Sequence, residues 1–240
     1  MTLSILAVYA LSRALLWRFA GSETDTLAAS VIFRVSALHG LILALVFAQE
    51  QEQYGELRLA LTEEASAVSD LWNDMARFGG PAQARMQAGV AAYAREVAGP
   101  EWAQLGRGEG LSGAAWTAWD RVYEEVLSLA PADPRETALR VHMLDNVHRI
   151  ARLRDQREAA SLHRLTPIFW VAAVVGIVLI VVPYFTFAPT VLHVSLLGIY
   201  GAYVGLVMHL IWAFTNPFEP PARLAPVAFE RLIATLPPPG

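Results

Sequence analysis

Chemistry in this 240-residue chain has to come from a short menu: six His, 22 Asp plus Glu, and 18 basic residues that are all Arg, with no Cys. Without Lys there is no Schiff-base amine and no phosphate-loop lysine. Without Cys there is no disulfide, thiolate-bound metal or thiol nucleophile. The most site-like polar cluster is His142, Asp145, His148 and Arg149. His142, Asp145 and Arg149 share a helix face by their three- and four-residue spacing. The two His lie about 240° apart round that helix, so one turn cannot bring both to a metal. A solvated or interhelical polar face is the plainer reading of the cluster. No Glu-x-x-His pair supports a di-metal bundle and no Gly-x-Ser-x-Gly elbow occurs. The run Gly106 to Gly110 is as glycine-dense as a phosphate cradle, but no strand precedes it and no Lys follows, so it reads as a loop. The expectation is a chain that is not an enzyme and holds neither cofactor nor metal.

Ionisable groups inside apolar stretches are the second place to look, because they are costly at membrane depth. Between Val31 and Ala48 the chain is apolar apart from Arg34, Ser36 and His39. At 100° per residue, Ser36, His39, Leu43, Phe47 and Glu50 fall on one stripe, with Gly40 beside it, while Arg34, Leu38, Leu41 and Leu45 form another. The first stripe is polar at its ends and apolar in the middle, the pattern of a pore with a hydrophobic constriction. Packing of the same face on a neighbouring helix is the alternative.

The elements that would position these groups follow from an uneven distribution of charge. Hydrophobic residues make up 55% of the chain, charged ones 17%, and the mean hydropathy is +0.39. From Gln49 to Thr166 there are 13 Arg and 18 acids; everything outside that block holds only 5 Arg and 4 acids. Four apolar runs lie outside it: Thr2 to Ala20, Val31 to Ala48, Ile168 to Phe187 and Val191 to Phe214. Each approaches the ~20 residues of a membrane-spanning helix. Gly21 to Asp25 reads as a turn between the first two, and Ala188 to Thr190 as a short reversal between the last two. The first run lacks the basic n-region of a signal peptide and is expected to be retained. Arg149, Arg152, Arg154, Arg157 and Arg164 crowd the entry to the third run, and Arg223 and Arg231 follow the fourth. The positive-inside rule therefore puts the central block and both termini in the cytoplasm. With net charge −4 and pI about 5.9, a nucleic-acid partner is not expected.

Within the polar block the period is helical. Tyr54, Leu57, Leu61, Val68, Leu71, Met75 and Phe78 continue the second span as one long helix up to Gly79-Gly80-Pro81. Met86, Val90, Tyr93 and Val97 predict a helix ended by Gly99-Pro100. Trp116, Trp119, Tyr123, Val126 and Leu129 predict another, with the aromatics in the core. An Arg-rich helix from about Arg135 to Leu165 returns to the third span. Gly198, Gly201 and Gly205 flank the fourth span and are expected to pack closely on another helix. The tail from Leu236 to Gly240 is expected to fray.

The segment from Arg34 through Ser36, His39 and Gly40, running on through Ala44 to Gln49, Glu50 and Glu52, resembles the signature of the bestrophin-like domain family of bacterial membrane proteins. Other stretches agree: Arg58 with Glu63, Glu64, Ala65 and Val68; Tyr93 to Trp102; Arg152 to Trp170; Pro217-Phe218 and Pro226 to Glu230. One departure is Thr215, where an acidic residue is expected. The resemblance implies a fold like that of bestrophin chloride channels, with several subunits, five being the number to test, placing the second helix around a central pore. His39, Leu43 and Phe47 match the four-residue spacing of bestrophin necks, although His39 is not apolar.

Together these features predict an all-α membrane protein of four transmembrane helices, arranged as two hairpins with a cytoplasmic helical bundle inserted between them. Residues 1–48 form the first hairpin, 49–165 the cytoplasmic domain, 166–215 the second hairpin and 216–240 a cytoplasmic tail. The expected function is an oligomeric channel in the bacterial inner membrane, passing small anions such as chloride. Its pore is lined by Ser36, His39, Leu43, Phe47 and Glu50, with Arg34 at the outer mouth and Gly40, Gly198, Gly201 and Gly205 in helix packing. The lipid bilayer, small ions and further copies of the chain are the expected partners. The alternative is a non-conducting scaffold whose cytoplasmic helices bind a partner protein.

Overall fold

A computed structural model describes residues 1–237, the side chains of Ser22 and Glu23 excepted. Those residues are helical with no strand among them: α1 Thr2–Leu16, α2 Ser22–Phe78, α3 Gln83–Glu96, α4 Trp102–Arg107, α5 Gly113–Ser128, α6 Pro134–Leu162, α7 Pro167–Val181, α8 Val191–Phe214 and α9 Val227–Thr235. They divide into two compact units. The first comprises Met1–Glu52 and Arg164–Thr215, the second Gln53–His163 with the chain from Asn216 onward. Four helical stretches, Thr2–Phe19, Thr24–Phe78, Pro134–Thr186 and Val191–Phe214, are long and apolar enough to cross a membrane.

In the first unit α1, α7, α8 and the first half of α2 pack around Ile5, Tyr9, Leu43, Ala173, Ile177, Val181, Leu197 and Ile211. Thr190 caps α8 by accepting from the His193 N–H, at 3.2 Å. The glycine flank of α8 meets α1 as expected. A Cβ on Gly201 would lie 3.0 Å from Ile5 Cδ1 and 3.2 Å from Thr2 Cα, and one on Gly205 would lie 2.7 Å from Met1 Cβ. Gly198 is in ordinary contact range of Thr2, whereas a Cβ on Gly40 would meet nothing within 4 Å among the described residues. Large apolar side chains cover the outside of this unit, with Val191 85%, Leu3 82% and Ile168 79% exposed, as suits a surface bathed in lipid.

Three boundaries differ from the sequence reading. The helix α2 starts at Ser22, so only Ala20 and Gly21 remain of the expected turn, and the Asp25 N–H bonds the Gly21 carbonyl at 2.9 Å. Hydroxyl and acidic residues suit the first turn of a helix as well as a loop. At Pro183 the third span tightens from α into a 3-10 turn, Val182–Thr186, because proline carries no N–H for the ladder. Carbonyls near that turn are taken by α1: Arg13 Nη1 donates to Phe185 O and Phe187 O, both at 2.7 Å, and Tyr9 Oη donates to Phe187 O at 3.1 Å. Gly99-Pro100 does not end its helix. A π-turn over Val97–Glu101 absorbs the proline and carries the chain into α4.

In the second unit the core joins Leu57, Leu61, Val68, Leu71 and Met75 of α2 to Met86 and Val90 of α3, Trp119 and Val122 of α5, and Met143, Val147 and Ile150 of α6. At the end of α2, Gly79 and Gly80 take φ of +74° and +79°, a conformation that favours glycine. The segment after Asn216 belongs to this core: Phe218 packs edge-on to Trp102, and Phe229 and Leu232 of α9 are buried. Leu236, expected in a frayed end, is buried too; the rest of that end, residues 238–240, lies outside the described chain.

The contrast between two glycines gives a test. Replacing Gly201 by Leu drives a side chain into the α1 backbone, and the chain purified in detergent is expected to lose about 1–3 kcal/mol in thermal unfolding. Gly40→Leu, at an open helix position, is expected to cost nothing and to gain up to about 1 kcal/mol in helix propensity.

Candidate functional site

The two faces of α2 have opposite environments. His39, Leu43 and Glu50 are buried, Ser36 and Phe47 are half-buried, and all five lie on the side turned into the first unit. Phe47 stands edge-on to Phe214 of α8, centroids 5.8 Å apart. Leu43 is in the core with Ala173 and Ile177, and the His39 ring lies so close to Gly176 of α7 that a Cβ there would come within 2.6 Å of Nδ1. Three members of the stripe, His39, Leu43 and Phe47, thus touch α7 or α8. The opposite face is open: Arg34, Ala37, Leu38, Gly40, Leu41, Ala44, Leu45 and Ala48 are exposed. Both stripes were visible in the sequence, but the choice between them required knowing where α7 and α8 lie.

The cluster His142, Asp145, His148 and Arg149 does not assemble. His142 Nδ1 pairs with Asp74, whose other oxygen accepts from Arg77 at 2.9 Å; Arg149 reaches Glu63 at 3.1 Å; His148 lies 3.4 Å from the Tyr123 hydroxyl. Each ties α6 to α2 or α5, so the cluster is an interhelical polar face. Trp116, Trp119 and Tyr123 stack successively along α5, centroids 4.6 and 5.4 Å apart, and only Trp119 of the two tryptophans is buried.

The site the sequence reading missed is ionic and wholly internal. Glu64, Glu101, Arg154 and Arg157 each have 0% of their surface exposed. Arg157 donates to Glu64 through Nη1 and to Glu101 through Nη2. The second oxygen of Glu101 accepts from Arg154 Nη2 at 3.0 Å and from the Ser112 N–H at 2.7 Å, and the Tyr93 hydroxyl donates to Glu64. The Arg154 guanidinium also lies 5.1 Å from the Trp116 ring centroid and 5.6 Å from that of Tyr93. Two cations against two anions leave the cluster neutral, which is the condition for burying charge. Burial pushes the Tyr93 phenol well above its usual range, and the adjacent Glu64 carboxylate adds to the rise. A signal was available: Glu64 interrupts the α2 stripe between Leu61 and Val68, and Arg154 and Arg157 continue the α6 stripe of Met143, Val147 and Ile150. These two Arg are compensated inside the bundle, so they do not contribute the surface charge assigned to them at the membrane entry.

Four apolar helices of membrane length and an internal helical bundle threaded by one of them define a helical integral membrane protein. Its family is shown by sequence: the profile of the bestrophin-like domain matches residues 2–229, and the chain belongs to the bestrophin-like family. Among solved structures, a single-substitution variant of a bacterial bestrophin homologue from Klebsiella pneumoniae matches with a TM-score of 0.71 at 11% identity, covering 97% of this chain and 96% of that one. At that identity the likeness is one of fold. No curated protein matches. Thr215, where the family pattern led us to expect an acid, is buried and donates to the Trp212 carbonyl at 2.7 Å.

The ionic cluster predicts a steep contrast in stability. Arg157→Met leaves Glu64 and Glu101 buried without their shared cation and is expected to cost about 3–5 kcal/mol in denaturant unfolding. Arg149→Ala, which breaks an exposed pair, is expected to cost less than about 1 kcal/mol.

Proposed function

We propose that the protein is the subunit of an oligomeric channel for small anions such as chloride, embedded in the bacterial inner membrane, with the open face of α2 lining the pore. The observation that carries this reading is that face: a row of Ala and Leu from Ala37 to Ala48, led by Arg34, left uncovered on a membrane-length helix of a chain with the bestrophin fold. A pore needs side chains free to reach the axis, and small and branched apolar residues there form a constriction that conducts only when wetted. Arg34 supplies a positive charge that raises the local anion concentration. The burial of Glu50, which would favour cations if it faced the pore, supports the anion reading.

In this arrangement the four spans form two hairpins, the second unit and both termini are cytoplasmic, and copies of the chain surround the axis, with five the number to test. Counting only solvent-facing arginines, Arg149, Arg152 and Arg164 near the third span and Arg223 and Arg231 after the fourth still favour that orientation. A second reading, a scaffold that binds a partner helix, is favoured by one feature: a groove of about 690 Å³ between α3 and α5, floored by Ala88, Gly89 and Ala118 and edged by Arg85, Arg121 and Glu125.

Purified protein in liposomes is expected to pass chloride in preference to sodium. Arg34→Glu is expected to reduce chloride flux about tenfold, and Leu41→Ala to increase it by widening the constriction. Absence of flux for both ions, with Leu41→Ala equally silent, would remove the channel reading. A stoichiometric protein retained by the full-length chain in mild detergent would then support the scaffold.

A further inference from the structure

His39 is the one polar side chain on the covered face of the α2 span whose ring nitrogens are both buried and without a hydrogen-bond partner among the described residues. It keeps 6% of its surface exposed. Imidazole in that state is an unsatisfied donor and an unsatisfied acceptor, and natural cores seldom keep either without a reason. The contact it makes is close. Nδ1, Cε1 and Cγ would stand 2.6 to 3.1 Å from a Cβ on Gly176, so only glycine at that point of α7 admits the ring.

The charged and titratable groups around it offer no alternative partner. No residue of α7 titrates. On α2 the nearest are Arg34, which is exposed, and Glu50, eleven residues further on. On α1, Arg13 and Tyr9 are bonded to the carbonyls of Phe185 and Phe187. On α8, His193 is bonded to the Ala188 carbonyl, and Tyr200, Tyr203 and His209 make no hydrogen bond to the ring. A proton added to His39 would place a cation among apolar groups with two N–H bonds and nothing to receive them. The relief available to it is water. The open face of α2, carrying Ala37, Leu41 and Ala44, is the side of the same helix that the channel reading sets against water.

We propose that His39 and Gly176 form a proton-operated latch: with the ring neutral, α2 is packed on α7, and protonation releases the contact and frees α2 to shift. The proposal rests on the channel reading for its effect on flux, though not for the movement itself. A His39 cation on the pore-lining helix attracts anions, so the direction is set: chloride flux rises as pH falls.

Because the chain has no native Cys, a spin-label pair can be introduced at Ile42→Cys on α2 and Val174→Cys on α7, both about half exposed. In liposomes, the interlabel distance is expected to change between about pH 7.5 and about pH 5.5, while chloride flux in the unlabelled protein rises at least about threefold. His39→Gln, neutral throughout and similar in shape, is expected to abolish both responses. A distance that does not move in the wild-type background overturns the latch, as does a shift that persists undiminished in His39→Gln. If the distance moves and His39→Gln abolishes the movement while neither protein conducts, the latch stands and the channel reading falls. Chloride flux that is indifferent to pH while the distance moves overturns the effect on the pore and leaves both the movement and the channel reading intact.

Discussion

Everything in this fold depends on α2 remaining one helix for 57 residues, Ser22 to Phe78. The same element supplies Leu43 to the core of the first unit and Leu57, Leu61, Val68, Leu71 and Met75 to that of the second. An interruption would leave backbone N–H and C=O groups unpaired, and within a bilayer there is no water to take them. Gly40 and Gly55 lie inside this helix and each weakens it by about 1 kcal/mol relative to Ala. Tertiary packing along both halves has to offset that, and the helix ends only where two consecutive glycines take left-handed φ.

The internal charges of the second unit illustrate a different balance. Taking Glu64, Glu101, Arg154 and Arg157 out of water is expensive. The cost is partly offset by mutual pairing, by the Ser112 N–H and by the faces of Tyr93 and Trp116, while Arg154 Nε and Nη1 and Arg157 Nε have no hydrogen-bond partner among the described residues. An apolar core of equal volume would be no less stable. What the pairs add is geometry: Arg157 bonds two carboxylates on different elements, and Glu101 is held where the π-turn delivers it. A helix that simply stopped at Gly99-Pro100 would not place that carboxylate.

The breaks in the sequence reading share a cause. Gly99-Pro100 reads as the end of an element, which is sound for an isolated helix. In the folded chain a π-turn absorbed Pro100, and Arg13 and Tyr9 of another helix took up carbonyls beside the Pro183 turn. Likewise His142, Asp145, His148 and Arg149 looked like one cluster because they are neighbours along α6. Asp74, Tyr123 and Glu63, the partners of His142, His148 and Arg149, lie on other helices, and each pair points its own way.

By itself the sequence established the composition that excludes amine and thiol chemistry, the four apolar runs, the continuous α2 and the resemblance to the bestrophin-like family, since each rests on local order along the chain. The close approach of α8 glycines to another helix was legible for the same reason. The tertiary structure alone decided which face of α2 is covered, because a span that is apolar nearly all round has no side marked as inward until neighbouring helices occupy it. It also decided that Arg154 and Arg157 are internal. The Glu64 carboxylate that Arg157 bonds is 93 residues away in sequence, and a pairing over that distance exists only once α2 and α6 have been brought side by side.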